Sequence, residues 1–93
     1  MMDDRLLAAE RALSFGMLDE AERLLRQAVA ADPASSLAVL GLARVALDRG
    51  DNAGALRFAR QALALEPAND AAQRLVTRLE EIRHHSDARQ WHP

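Results

Sequence analysis

Three histidines, His84, His85 and His92, lie within the last ten residues of the 93-residue chain, with Asp87 and Trp91 among them. Imidazoles beside a carboxylate could ligate a metal ion. A ligand set also needs fixed geometry and groups that orient each ring. Adjacent histidines at the fraying end of a chain bring neither, so SDARQWHP, residues 86–93, reads as a disordered tail without a metal site or cofactor. Trp91 within it is large enough to anchor in a groove of this chain or of a neighbour.

Upstream, residues 3–83 contain no His, Cys, Lys or Tyr, which removes the usual general bases, thiol nucleophiles and Schiff-base formers. Ser14, Ser35 and Ser36 fall at expected helix ends, where capping and turn roles account for a hydroxyl. Glu80 and Glu81 are sequence neighbours on different azimuths of one helix, not a facing acid/base pair. The chain is expected not to be an enzyme.

The remaining chemistry is recognition by arginine and leucine. All twelve basic residues are arginine, against fourteen acidic ones. By segment the net charge is −3 over residues 2–35, +1 over 36–69 and 0 over 70–93. No segment has the basic excess that phosphate-backbone binding requires, so nucleic acid is not expected as a partner. The acidic start MMDDRLLAAER is unlike a secretory signal, and the apolar run LAVLGLARVAL is broken by Arg44 well short of a bilayer span. A soluble, cytoplasmic protein with no membrane partner is expected. Without cysteine there is neither a disulfide framework nor a thiolate metal site.

The elements that must position these side chains are legible from a period. Residues 2–35 laid over 36–69 without a gap give thirteen identities, among them Gly16/Gly50, Ala21/Ala55, Ala28/Ala62 and Pro33/Pro67. A 34-residue period with this punctuation implies stacked helix–turn–helix units. Each unit starts a helix near Asp3 or Ser36, stops it at the glycine, starts a second near Asp19 or Asn52 and ends it before the proline. Twenty alanines and almost no aromatic residues fit helices packed through small side chains. Ala9/Ala43 and Ala21/Ala55 are expected to set the spacing within a unit, and Ala28/Ala62 the approach of the next. Residues 69–85 add a fifth helix, with Asn69 or Asp70 as N-cap and Leu75, Val76, Leu79 and Ile82 on one side.

In these features the chain resembles the tetratricopeptide repeat family. DEAERLLRQAVAADPAS and GDNAGALRFARQALALEPAN are close to the family's second-helix pattern, whereas Arg5/Val39 and Ala12/Ala46 stand where aromatic residues are frequent. The resemblance implies an all-α fold of antiparallel helix–turn–helix repeats stacked as a short right-handed solenoid of five helices. A single domain is expected over 2–85, with repeat 1 at 2–35, repeat 2 at 36–69 and a capping helix at 70–85.

The resemblance also implies a protein-interaction scaffold whose first helices line a concave groove for a peptide or helix of a partner protein. Leu6, Leu13, Leu37, Leu40 and Leu47 would point toward that groove. The spacing of Leu6 to Leu13 and of Leu40 to Leu47 puts each pair on one helix face regardless of family. The same stripe would equally serve as core between helices. Glu10, Arg44 and Arg78 recur one repeat apart, with Arg74 one turn from Arg78, so Glu10 can pair with Arg44 while Arg74 and Arg78 offer guanidinium groups to carboxylates. A solvated charged face is the alternative reading of that row. The lysines and asparagines of the family's two-carboxylate clamp are missing. On the outer helices, Asp19–Arg23 and Glu22–Arg26 are expected i, i+4 pairs. Finally, the first helix offers Leu6, Leu7, Leu13 and Phe15 around much of its circumference with no preceding repeat to cover them, which predicts a homodimer in which that helix takes part; the alternative function is a self-assembly element whose groove or exposed first helix is occupied by a second copy.

Overall fold

The computed structural model describes residues 4–90, with side chains described as far as Arg83. Five helices follow in order: α1 (Asp4–Ser14), α2 (Leu18–Ala31), α3 (Ser36–Asp48), α4 (Asn52–Leu65) and α5 (Asp70–Gln90). Each packs on its sequence neighbours, and α1 also touches α3, which is the order of a stacked helical-repeat solenoid.

The starts of α3, α4 and α5 are fixed by side-chain caps, whereas α2 starts from Met17 without one. Ser35 Oγ accepts from the Ala38 amide at 3.2 Å, Asp51 Oδ1 from Gly54 at 2.9 Å and Asn69 Oδ1 from Ala72 at 3.1 Å. Each satisfies an amide that the first turn leaves without an intrahelical partner. Both first helices of the repeats end in the same way. Gly16 and Gly50 adopt φ of 72° and 81°, and the next amide reaches back to Ala12 O (2.8 Å) or Ala46 O (2.9 Å) while the glycine amide reaches Leu13 O or Leu47 O. This left-handed C-terminal turn excludes most side chains by contact between Cβ and carbonyl. Gly50→Ala should therefore lose about 1–2 kcal/mol, read as a lower urea midpoint at unchanged slope.

Helix α3 sits at the centre, and its nine buried residues run round its circumference, the mark of a helix enclosed by others. Alanines make the enclosure tight: Ala9, Ala21, Ala38, Ala43, Ala55, Ala59, Ala62 and Ala72 are fully buried. The paired small positions Ala9/Ala43, Ala21/Ala55 and Ala28/Ala62 all lie in these contacts. Buried Ser36 donates from Oγ to Glu66 Oε2 at 2.5 Å, tying the start of α3 to the end of α4.

Helix α5 runs to Gln90, five residues beyond the expected boundary at His85. Its 21 residues span about 31 Å against about 21 Å for α4, so its last turns overhang the neighbour they pack on. Leu79 is buried, Leu75 and Val76 are half-buried and Ile82 is exposed. Trp91 and His92, and the side chains of His84, His85 and Asp87, lie outside the described residues.

Candidate functional site

Between α1, α3 and the start of α5 lies a cavity of about 270 Å³. Its floor is made by Leu13, Leu25 and Leu40, all buried, and its wall by half-buried Leu6. Leu37, 56% exposed, stands at the rim with the charged residues Glu10 and Arg44. Glu10 Oε1 and Arg44 Nη1 are 3.9 Å apart, an exposed cross-helix pair worth little to stability. The apolar floor offers burial to an apolar side chain, and the exposed pair offers a donor and an acceptor at one edge. No group of three or more His, Cys, Asp or Glu side chains among the described residues stands close enough to hold a metal ion.

Six of the nine residues expected on the groove, Leu6, Glu10, Leu13, Leu37, Leu40 and Arg44, line this one cavity. Leu47 does not. It packs beside the cluster of Ala46, Ala55, Leu56 and Leu79, because α4 and α5 close over that end of α3. Arg74 and Arg78 are exposed on α5 and take no part in the lining; α5 contributes Ala71 instead. The leucines divide by depth: Leu13 and Leu40 are core as well as floor, and only Leu37 is free to meet a ligand over most of its surface.

Two residues of the site escape helical periodicity. Leu25 reaches the cavity from α2, from beneath the α1–α3 seam, and Gly41 lies directly over it. A Cβ at position 41 would stand 2.6 Å from Leu25 Cδ2, so any larger residue there would force the buried Leu25 side chain to shift. The available signal was a glycine in mid-helix with no turn to serve.

The first helix requires a correction. Leu13, expected in a self-association surface, is 8% exposed and buried against Ala9, Ala21, Leu25 and Leu42, and Leu6 is half-covered by the same cluster. The α2 and α3 helices cover more of α1 than its pattern indicates. Leu7 (42% exposed), Phe15 (81%) and Met17 (54%) remain open.

On the outer face Glu22 pairs with Arg26 at 2.9 Å as its spacing predicts, but Asp19 does not take Arg23. Arg23 turns to Glu20, and Asp19 joins Glu22 on Arg49, at the end of α3. The hydrogen bond from Arg26 holds the Glu22 carboxyl below its ordinary 4.5, against an opposing effect of partial burial, with Arg49 adding to the pull. A carboxyl lowered in the folded state stabilises above its unfolded value and stops doing so as pH falls through the folded one. Glu22→Gln should therefore cost up to about 1 kcal/mol at pH 7, a difference that shrinks steadily once the pH drops below 4.5 in parallel urea titrations.

The tetratricopeptide repeat family model matches residues 12–79, more than half of the chain. Neither a curated protein nor a solved structure matched it.

Proposed function

The chain belongs to the tetratricopeptide repeat family, and from that premise we propose that it is a binding module whose concave α1–α3–α5 face receives a peptide or helix of a partner protein. Repeats of this family generally mediate protein–protein interaction and are typically non-enzymatic. The observation that carries the reading is the apolar cavity floored by Leu13, Leu25 and Leu40 and rimmed by Leu37, Glu10 and Arg44. A guest helix laid along it would bury an apolar stripe and set its polar groups against the rim pair. Arg74 and Arg78, further along the row of first helices, would meet acidic residues at one end of a long guest. The absence of a basic segment favours a protein partner over nucleic acid. Affinity capture with mass spectrometry would identify the partner, and titration of its contacting segment against rim variants tests the site.

A second reading, self-association as a homodimer, draws support from Phe15 and Leu7. Burying both against a second copy would stabilise by about 1.5–3 kcal/mol each. Light scattering at micromolar concentration should give twice the 10.2 kDa monomer mass, reverting to monomer in Leu7→Glu/Phe15→Glu. A monomer with an intact helical spectrum would remove this reading and leave the groove untouched.

A further inference from the structure

Arg49, at the end of α3, is held by Asp19 and Glu22 of α2. One repeat later the same three positions are Arg83, Ala53 and Leu56. The arginine is kept and both carboxylates are replaced by apolar side chains.

The two clefts in which these groups lie can be compared position by position. Between α2 and α3, Glu22, Arg26, Val45 and Arg49 line a space of about 300 Å³ that Arg57 and Phe58 of α4 border on its third side. Between α4 and α5 the equivalent positions are Leu56, Arg60, Leu79 and Arg83, and they line a cavity of about 600 Å³. Among the described residues no helix follows α5 to border it in the same way. Ile82, 39% exposed, adds to its apolar side and Arg57 to its charged rim. The lining holds three arginines and no carboxylate. Arg60 has a partner in Glu80 at 3.1 Å, outside the lining, and neither Arg57 nor Arg83 has an ion pair among the described residues.

We propose that the α4–α5 cleft is a second docking site, occupied by an acidic amphipathic helix of a partner protein that takes the place α4 takes over the α2–α3 cleft. The repeat gives the shape of the occupant: a helix with a large apolar side chain at the position of Phe58. The lost carboxylates give its charge: they must arrive with the guest if Arg83 and Arg57 are to be neutralised. A second copy of this chain fits less well. The run of three carboxylates on its α2 helix, Asp19, Glu20 and Glu22, is already engaged by Arg49, Arg23 and Arg26, and binding through that run would break those pairs. The cleft shares no lining residue with the concave groove, so the two sites can be tested separately.

The probe is a lactam-bridged helical peptide of residues 51–66 carrying Arg57→Glu, bridged on the face opposite Phe58 and titrated by fluorescence anisotropy into the full chain. Saturable binding is expected. It should weaken at least tenfold in Arg83→Glu and in Ile82→Ala, both exposed positions whose replacement leaves the helical spectrum intact. It should also weaken at least tenfold for the same peptide with Arg57 retained, and be unaffected by Leu37→Glu in the groove. The proposal is overturned if the helical probe does not bind, or if binding survives Arg83→Glu. Loss of binding in Leu37→Glu would overturn it too, since the groove would then be the site. So would sedimentation of the protein alone as a dimer that Arg83→Glu dissociates, since the occupant would then be a second copy.

Discussion

Leu25→Ala is expected to lower the thermal midpoint by at least 10 °C and to leave the protein only marginally folded at 25 °C. Leu25 is the large buried side chain of α2 that reaches both α1 and α3, in a cluster otherwise built of Ala9, Ala12, Ala21, Leu13, Leu42 and Val45. Truncating a buried leucine costs about 2–5 kcal/mol, more where the surroundings cannot collapse into the space. Here three of the neighbours are alanines, which have no rotamer to swing inward, so the upper half of that range applies. A chain of 93 residues has roughly 5–14 kcal/mol of stability in all, and each kcal/mol moves the midpoint of so small a domain by about 4–8 °C.

The contact with Gly41 makes this prediction more specific. In the native chain Gly41→Ala forces a methyl group toward Leu25 Cδ2. The overpacking, about 1–3 kcal/mol, offsets or exceeds the gain of about 1 kcal/mol in helix propensity. In Leu25→Ala the obstacle is gone and Gly41→Ala should stabilise by that gain. A more favourable effect of Gly41→Ala in the Leu25→Ala background than in the native chain, read from urea melts, is the expected outcome. Equal effects in both would mean that the α2–α3 approach is not set by this pair.

The second large effect is on binding. Leu37→Glu combined with Arg44→Glu should weaken a groove-bound partner segment at least 30-fold, since loss of a central contact costs about 2 kcal/mol or more and 1.4 kcal/mol is tenfold. Both side chains are exposed and neither belongs to a buried cluster, so the thermal midpoint should stay within a few degrees. That separation is why Leu37 is the proper probe. Leu13→Glu or Leu40→Glu would place a carboxylate among core side chains and unfold the protein whether or not the groove binds anything.

Local features of the fold were legible in the sequence. The Gly16/Gly50 turns, the Ser35 and Asn69 caps and the buried alanine pairs were legible because each follows from local backbone chemistry repeated at one period. Depth was not legible. The family resemblance pointed Leu13 and Leu37 toward the same groove, but whether such a residue is floor or rim depends on what α2 and α3 bring over it. Long-range ion pairing was hidden for the same reason: Asp19 has Arg23 four residues on, yet the turn that ends α3 delivers Arg49 to it. The length of α5 was underestimated because its last turns lack apolar periodicity, the signal that marks the other helices.

The measurement that bears most directly on the concave-face reading is a map of amide chemical-shift changes in the 15N-labelled protein as a captured partner segment is titrated in. The reading predicts changes concentrated at Leu6, Glu10, Leu37, Gly41 and Arg44, across α1 and α3. Changes confined to the outer helices, at Arg23, Arg26 and Gln61, with Leu37 and Arg44 unmoved, would contradict it.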